Sequence, residues 1–388
     1  MTIEAKTEAG TLELEQQLVE AARAVEPVVL AHADEAERIR TQPQPVIDAF
    51  HEAELFKTWL PKSRGGFELA QTTYTRVLEE VSRQDGSAGW TLMIGMANNS
   101  FAGWLPEEGA AEIYGPRTVV GASIVGPGAT VTRVEGGFRV SGRWTLASGI
   151  PHSDWAAGAI DAPPLSEGGP PQVRLFFFPP GGYQVIDTWE SGGLRGTGSH
   201  DFAVKDVFVP SRRMFDFFGP PTEPGVFWKL GFPEFLQMAH TGQALGSARG
   251  IIDVFKELAA TSRADGQSAH SVRPIVQIQL GEAEATLRAA RAWVFEVLEE
   301  IWARGEEGRT PTREERALIT LCVGHCVQSC IRVADLMYSA GGSKSLYTAK
   351  RLERFWRDLH AAGQHVSAAP QQYHNQGAVL LGLPHPML

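Results

Sequence analysis

Apolar residues in the N-terminal part of the chain recur at the spacing of helices. Tyr74, Leu78 and Val81 are three or four positions apart, which places them on one face of an α-helix. Similar spacing extends over residues 11–115, and the segment 85–87 (Asp-Gly-Ser) interrupts the longest run. The pattern predicts a helical domain whose apolar faces are buried against one another.

The spacing changes to that of strands and turns over residues 117–217. The segment 138–142 follows a Glu-Gly-Gly at 135–137, which is typical of a hairpin. The apolar run at 173–178 ends at two prolines and predicts a buried strand. A further strand is predicted at 204–210.

Helical spacing returns after Phe232 and continues almost to the end of the chain. Val294, Val297, Leu298 and Ile301 mark one apolar face of a long helix. This C-terminal part predicts a four-helix bundle, because several long amphipathic helices in succession bury their faces together.

These changes divide the chain into three regions. We expect an N-terminal helical domain over residues 1–116, an antiparallel β domain over 117–230 and a C-terminal helical bundle over 231–388. Runs of one element type followed by runs of another indicate a mainly α protein with a central β domain, not an alternating α/β sheet. The Gly-Pro-Gly at 126–128 lacks a third glycine, which disfavours a dinucleotide-binding Rossmann domain.

Composition and charge narrow the classes of partner. The 388 residues are 43% hydrophobic and 21% charged, as in an ordinary globular enzyme, and the formal net charge is -10. An acidic chain is a poor partner for nucleic acid or an anionic membrane, since phosphate binding depends on Lys and Arg. No run of 18 apolar residues is present, and residues 1–10 have no apolar core, so we expect a cytoplasmic protein without a signal peptide.

Three cysteines lie on one helical stripe, at Cys322, Cys326 and Cys330. They allow a metal or redox site, or simply close packing between two helices. Metal-binding pairs usually lie two apart on a turn, and a second cluster is missing, so we favour packing and expect no metal.

The C-terminal region carries the most informative motif. A Gly-Gly turn at Gly341 and Gly342 is followed by Arg-Asp at 357–358, and this order resembles the acyl-CoA dehydrogenases. The resemblance puts the catalytic glutamate of that family at Val366, which cannot accept a proton, while the neighbouring His365 can. Other segments resemble the family in the same order along nearly the whole chain: 50–56, 142–149, 193–201 and 245–250.

Within that fold the chain resembles the oxygenase components of two-component flavin-dependent monooxygenases. The segment 147–155 is similar to their flavin-facing strand, and 357–360 together with His365 is similar to their C-terminal helix. The resemblance implies that a separate NAD(P)H-dependent reductase supplies reduced flavin, FADH2 or FMNH2. This flavin and O2 would form a C4a-hydroperoxyflavin that oxygenates carbon, nitrogen or sulfur of a small, aromatic or polycyclic substrate.

The resemblance implies two catalytic residues. An imidazole ordinarily titrates near neutral pH, so His365 is expected to exchange a proton with substrate or peroxide, and its alternative is a structural histidine at a helix end. Ser148 is expected to hydrogen-bond the flavin N5, and its alternative is a turn serine before Gly149.

Further cofactor contacts follow from the same resemblance, each with an ordinary alternative. Trp144 is expected to stack near the isoalloxazine, or to belong to the core. Ser123 is expected near the flavin, and Arg263 on its phosphate in a neighbouring subunit, although an exposed helix-end arginine is equally compatible. Gly341 and Gly342 allow close approach of a cofactor, or end a helix in an ordinary turn.

Two residues are substrate candidates. Asn98 follows a helix rich in small residues and would orient a polar group of the substrate, or else cap the helix. His360 is five residues before His365, so it faces another side of the helix. A contact with substrate and a purely structural role are equally compatible with this position.

Three functions compete at this point. The first is the monooxygenase component, the second is an acyl-CoA dehydrogenase-like dehydrogenase or oxidase with a relocated base, and the third is a non-catalytic flavin-binding protein. The missing glutamate at Val366 disfavours the second. The bundle helices of this fold form large apolar interfaces, so we expect a homotetramer.

Overall fold

The computed structural model describes residues 7–115, 117–123, 126, 128–162, 172–230, 232–261 and 270–383. The chain begins with helices, passes through a β region and ends in long helices. The N-terminal helices are α1 (Thr7–Ala24), α2 (Glu26–Ile39), α3 (Gln44–Glu52), α4 (Gln71–Gln84), α5 (Gly86–Asn99) and α6 (Glu107–Ile113).

The break predicted at 85–87 separates α4 from α5. Asp85 is extended, at φ -157° and ψ 131°, and its carboxylate accepts a hydrogen bond of 2.9 Å from the backbone N–H of Ala88. This contact satisfies one free donor at the start of α5. Helix α5 is rich in small and apolar residues and almost wholly buried, so it forms the centre of the N-terminal domain.

The β region consists of two packed sheets. Its strands are β1 (Val120–Ser123), β2 (Thr130–Val134), β3 (Gly137–Trp144), β4 (Trp155–Ala162), β5 (Gln172–Phe178), β6 (Gln184–Ile186), β7 (Asp201–Pro210) and β8 (Met214–Asp216). One sheet has the order β1-β4-β5-β8 and the other β2-β3-β7-β6. The predicted hairpin is the β2–β3 pair.

One strand pair departs from the antiparallel pattern. β1 runs parallel to β4, whereas the other described pairs are antiparallel. The connection from β1 to β4 passes through the second sheet, and such a crossover returns the chain in the same direction.

The C-terminal region is a helical bundle, as the sequence predicted. Its helices are α7 (Val226–Lys229), α8 (Phe232–Thr261), α9 (Pro274–Glu306), α10 (Arg313–Gly341), α11 (Leu352–Ala362) and α12 (Gln371–Leu380). Helix α10 packs against α8, α9, α11 and α12, and α8 also packs along α4 of the N-terminal domain. The bundle and the N-terminal helices therefore share one apolar core.

Helix α10 is the central element of this bundle. The segment Arg313–Leu346 is long and apolar enough to cross a membrane, but 67% of its apolar window is buried inside the protein. Cys322, Cys326 and Cys330 are free and fully buried on this helix, and burial raises the pKa of Cys322 to about 12. A neutral thiol in such a position acts as a small apolar side chain, which agrees with the packing interpretation.

Candidate active site

Four side chains from distant parts of the chain meet where the three regions join. Trp90 lies on α5, Ser148 in the turn after β3, His240 on α8 and His365 in the turn after α11. The indole Nε1–H of Trp90 donates a 3.0 Å hydrogen bond to Ser148 Oγ. The Trp90 ring lies 5.4 Å from that of His240 and 6.2 Å from that of His365. We call these four residues the central cluster.

The two imidazoles of the central cluster contact each other. The ring centroids of His240 and His365 are 4.0 Å apart, and the ring planes are inclined by 32°. Burial lowers the pKa of His240 to about 4. Burial and the neighbouring His240 lower the pKa of His365 to about 2. Both rings are therefore neutral at physiological pH.

Backbone contacts fix which nitrogen carries the proton in each ring. His240 Nδ1 lies 3.1 Å from the carbonyl oxygen of Gln237, which only accepts, so Nδ1 carries the hydrogen and Nε2 keeps a lone pair. His365 Nδ1 accepts a 3.2 Å hydrogen bond from the Ser367 N–H, so its hydrogen is on Nε2. The neutral pair thus offers an acceptor at His240 and a donor at His365.

The acceptor of His240 has no partner of its own. This side chain is only 8% exposed, and within the described residues its Nε2 makes no hydrogen bond. A buried polar atom without a partner costs free energy, on the order of 1–3 kcal/mol, and a bound group that donates a hydrogen bond would remove that cost.

A row of hydroxyl groups leads away from Ser148. Ser148 Oγ lies 2.7 Å from Ser199 Oγ, which lies 2.6 Å from Thr197 Oγ1. Thr197 Oγ1 donates to the carbonyl of Leu194 at 2.8 Å. Thr197 is fully buried, and Ser148 and Ser199 are nearly so. This hydroxyl relay gives the Ser148 side chain a fixed environment.

The turn that carries the relay is held by helix α11. The backbone N–H of Leu194 donates a 2.6 Å hydrogen bond to Asp358 Oδ1, and Asp358 is fully buried. Burial raises the pKa of Asp358 well above its usual range. Arg357 donates to the carbonyl of Gly192 in the same turn, at 2.6 Å. Arg357 and Asp358 therefore hold this turn against α11.

The structure gives Trp144 a different environment from the one expected. Its side chain is fully buried between the sheets, stacks on Phe202 at 5.1 Å and donates to the carbonyl of Ala159 at 3.0 Å. A Cβ on Gly158 would lie 2.4 Å from the indole, so the ring is tightly enclosed. This placement corrects the expected stacking on a flavin, because an enclosed ring has no free face, and it supports the core alternative.

Asn98 joins α5 to β1, and Ser123 joins β1 to the segment after β3. Ser123 Oγ donates to the carbonyl of Thr145 at 2.6 Å, in the segment that leads to Ser148. Asn98 Nδ2 donates to the carbonyl of Val120 at 2.7 Å. The structure thus gives each a tie within the fold, and their expected contacts with flavin and substrate stay predictions.

The remaining candidates lie outside the central cluster. His360 is partly exposed and bonds Asp335 at 3.0 Å, so the structure does not bring it to His365. Gly341 ends α10, where a Cβ would meet Ser345 Oγ at 2.1 Å, and Gly342 has a φ of 57°. Both glycines fit a tight helix end, and their cofactor role stays a prediction. Arg263 lies outside the described residues.

Sequence reasoning assigned no role to Trp90, His240, Ser199 or Thr197. His240 lies on the long helix α8, which packs on both α4 and α10. The sequence alone does not tell which element each side of this helix contacts. Thr197 and Ser199 belong to a glycine-rich turn in which hydroxyl residues are common. A histidine or hydroxyl of this kind has no local signal, because its partner is far away in the sequence.

Comparisons with known proteins agree with this fold. Two family models match the chain, the acyl-CoA dehydrogenase N-terminal domain over residues 12–113 and the acyl-CoA dehydrogenase C-terminal domain over residues 238–370. The crystal structure of 3-HSA hydroxylase from Rhodococcus sp. RHA1 superposes with a TM-score of 0.88 at 24% identity, covering 95% of this chain and 97% of that one. XiaF from Streptomyces, in complex with FADH2 and glycerol, gives a TM-score of 0.89 at 24% identity, covering 97% and 98%.

Sequence relatives define the family more closely. The indole-3-acetate monooxygenase of Pseudomonas putida is 32% identical over 355 residues, which cover 91% of this chain and 90% of the relative. The oxygenase subunit HsaA of a flavin-dependent monooxygenase from Rhodococcus jostii is 27% identical, with 92% and 96% covered.

The fold and the family models over residues 12–113 and 238–370 define a flavoprotein of the acyl-CoA dehydrogenase type. The chain belongs to the flavin-dependent monooxygenases built on that fold, as an oxygenase component that uses reduced flavin. Such a component depends on a separate flavin reductase. The dehydrogenase and non-catalytic alternatives are thereby set aside.

Proposed function

We propose that this oxygenase acts on a small aromatic substrate that carries an O–H or N–H group, bound at the central cluster. The observation that carries the proposal is the buried Nε2 of His240, which has a lone pair and no partner among the described residues, beside the Nε2–H of His365. A phenol or an indole supplies a hydrogen for the first nitrogen and a π-face for Trp90. The indole-3-acetate monooxygenases and the resorcinol hydroxylase among the relatives support this class.

The side chains around Ser148 fit a reduced flavin. Ser148 Oγ accepts one hydrogen bond, from Trp90, and keeps acceptor capacity for a second donor. Leu146, two residues earlier, is 59% exposed, and it offers apolar surface of the kind that a flat ring system covers. When bound, reduced flavin supplies the two electrons that O2 requires, so that one oxygen atom enters the substrate and the other leaves as water.

The side chains of the central cluster bind and orient the substrate and shield it from water. His240 accepts the substrate's hydrogen and fixes the ring, and neutral His365 donates a hydrogen bond from Nε2 to an oxygen beside it. Trp90 connects the two halves of the site, because its ring contacts both imidazoles and its Nε1–H holds Ser148. The low dielectric of this buried setting strengthens each of these contacts.

Isotope-labelled oxygen tests the proposal. The purified protein is given reduced FAD, 18O2 and one of three compounds: indole-3-acetate, resorcinol or the dimethyl ether of resorcinol. We expect one 18O atom in the product from the first two compounds, one O2 consumed per flavin oxidised, and little product from the ether. Hydrogen peroxide as the sole product from all three compounds would contradict the proposed substrate class.

We further propose a cytoplasmic homotetramer that works with an NAD(P)H-dependent reductase. Exposed apolar side chains gather at one end of the bundle, where Gln279 on α9 reaches Ser339 near the end of α10 at 3.4 Å. Such surface is costly in water and is typical of subunit interfaces. The side chains are Val272, Ile275, Ile278, Leu346 and Tyr347, each more than half exposed.

A further inference from the structure

We infer that Ser199 and Thr197 are positioning residues that set the direction of the Ser148 hydroxyl and so make the site selective for reduced over oxidised flavin. The inference rests on the proposed function, in which Ser148 meets the flavin N5. It concerns residues that touch neither flavin nor substrate and act only through Ser148.

Each hydroxyl of the relay has one proton, and the contact between Thr197 and the Leu194 carbonyl determines the direction of all the hydrogen bonds. Thr197 faces the carbonyl of Leu194 at 2.8 Å, and a carbonyl cannot donate, so the Thr197 proton lies on that contact. Thr197 Oγ1 must then accept from Ser199 at 2.6 Å. Because the Ser199 proton lies on the contact to Thr197, Ser199 Oγ must accept a hydrogen bond from Ser148 at 2.7 Å.

Ser148 is therefore left as an acceptor. Its proton lies on the contact to Ser199, one lone pair receives the Nε1–H of Trp90, and one lone pair remains. Within the described residues, Ser148 Oγ makes no other hydrogen bond. The side chain can accept one more hydrogen bond and cannot donate one without breaking the relay.

The opposite direction of the relay is disfavoured by the surroundings. It would leave Thr197 Oγ1 and the Leu194 carbonyl oxygen facing each other at 2.8 Å with no proton between them. Both groups are buried, so the repulsion is not screened by water. The Leu194 carbonyl also accepts from Trp189 Nε1 at 3.0 Å, which holds that oxygen in place.

Backbone contacts keep the relay together. The N–H of Gly149 donates to the Thr197 carbonyl at 2.8 Å, and the N–H of Ala147 donates to the His200 carbonyl at 3.0 Å. These two bonds flank Ser148 and pair its turn with the turn of Ser199. The hydroxyl groups thus have little freedom to rearrange when a ligand binds.

An acceptor at this point discriminates between the two redox states of flavin. Reduced flavin carries a hydrogen on N5 and can donate it to Ser148, whereas N5 of oxidised flavin has only a lone pair and faces the serine oxygen without a proton. A net hydrogen bond of about 0.5–1.5 kcal/mol corresponds to a preference of roughly twofold to tenfold for the reduced state. The relay thereby turns one serine into a redox-selective contact.

The test is the ratio of dissociation constants for oxidised and reduced FAD, measured anaerobically with the full-length protein. In Ser199→Ala the Ser148 proton is released and can bond N5 of oxidised flavin, so we expect the ratio to fall by about threefold to tenfold. The midpoint potential of bound FAD reports the same change, at about 30 mV per tenfold. Thr197→Val should act in the same direction, and Thr197→Ser should preserve the wild-type ratio.

A double-mutant cycle separates a relay from a general structural defect. If Ser199 acts through Ser148, Ser199→Ala should change the ratio in the wild type and leave it unchanged in a Ser148→Ala background. Ser153→Ala is the matched control, because Ser153 donates to the Gly149 carbonyl and lies outside the relay.

The outcomes distinguish the inference from the proposed function. A wild-type preference for reduced FAD that survives both Ser199→Ala and Thr197→Val overturns the relay and leaves the oxygenase function intact. An equal fall of the ratio in Ser153→Ala also overturns it. Equal affinity of the wild type for both redox states would instead contradict the proposed contact between Ser148 and N5.

Discussion

The imidazole rings of His240 and His365 lie 4.0 Å apart, although 125 positions separate the two residues in the chain. Their backbone partners leave a lone pair on His240 Nε2 and a hydrogen on His365 Nε2. His240 can therefore accept a hydrogen bond and His365 can donate one while both rings stay neutral. Burial lowers the pKa of both rings, so this polarity persists across the physiological range.

Replacement of His365 by alanine is expected to slow product formation while flavin binding is retained. The change removes the neutral donor at Nε2, and the loss of one preorganised donor of this kind costs on the order of 10²–10³-fold. Product and hydrogen peroxide are both measured per flavin oxidised, and peroxide should become the main product. His325→Ala is the control, since His325 bonds Tyr373 elsewhere in the bundle. Normal coupling in His365→Ala would remove this histidine from the mechanism.

Replacement of Ser148 by alanine is expected to uncouple oxygen use from product formation. The variant loses the hydroxyl that joins Trp90 to Ser199, and with it the proposed acceptor for flavin N5. The loss of one buried hydrogen bond predicts release of hydrogen peroxide that is about tenfold faster. Peroxide release in the presence of substrate measures this, and a rate equal to that of the wild type would leave Ser148 as a turn residue.

Replacement of His240 by phenylalanine is expected to weaken the binding of substrates that donate a hydrogen bond. The variant keeps an aromatic ring beside Trp90 but has no Nε2, so the dissociation constant for a phenol should rise by about tenfold. The corresponding methyl ether, which has no hydrogen to donate, should bind equally to both proteins. Equal losses for phenol and ether would indicate a change of shape, and no loss for either would exclude His240 as the acceptor.

The buried histidines predict a loss of stability in mild acid. The folded-state pKa of His240 is about 4, below the value near 6.5 of an unfolded chain, so protons bind the unfolded state first. The stabilising contribution is complete above pH 6.5 and is lost as the pH falls toward 4. His152, also with a pKa of about 4, acts in the same sense.

A single substitution measures how much His240 contributes to the pH dependence of the free energy of unfolding. Between pH 7 and pH 5 this group should lower the free energy of unfolding by about 2 kcal/mol. His240→Gln should therefore lose less stability than the wild type over this interval in urea unfolding measured at both pH values. An identical loss in the two proteins would show that His240 does not remain neutral in the folded state.

The exposed apolar side chains at one end of the bundle predict that charged substitutions there will disrupt the proposed tetramer. Ile275 and Ile278 are 60% and 63% exposed on α9, and lysine at both positions should dissociate the proposed tetramer because a charge is costly inside an interface. Light scattering at micromolar concentration measures the mass. Leu30→Lys is the control, since Leu30 is 38% exposed on α2 in the N-terminal domain. A wild-type protein that is already monomeric would contradict the assembly itself.

The sequence by itself determined the order of helical, β and helical regions and the approximate position of several elements. Periodicity is a local property, so Tyr74, Leu78 and Val81 identify a buried helical face without knowledge of its partner. The Asp85 break and the β2–β3 hairpin likewise depend on neighbouring residues only. The motif around His365 and Ser148 indicated the family, because it combines residue types at fixed short spacings.

Only the tertiary structure decided which side chains share the central cluster. Trp90 reaches Ser148 across 58 positions, and His240 joins them from a third region, because α5, α8 and the turns of the β domain pack at one junction. The same packing enclosed Trp144 between two sheets and directed His360 to Asp335. Contacts of this kind depend on the distance between elements after folding, which no local spacing along the chain encodes.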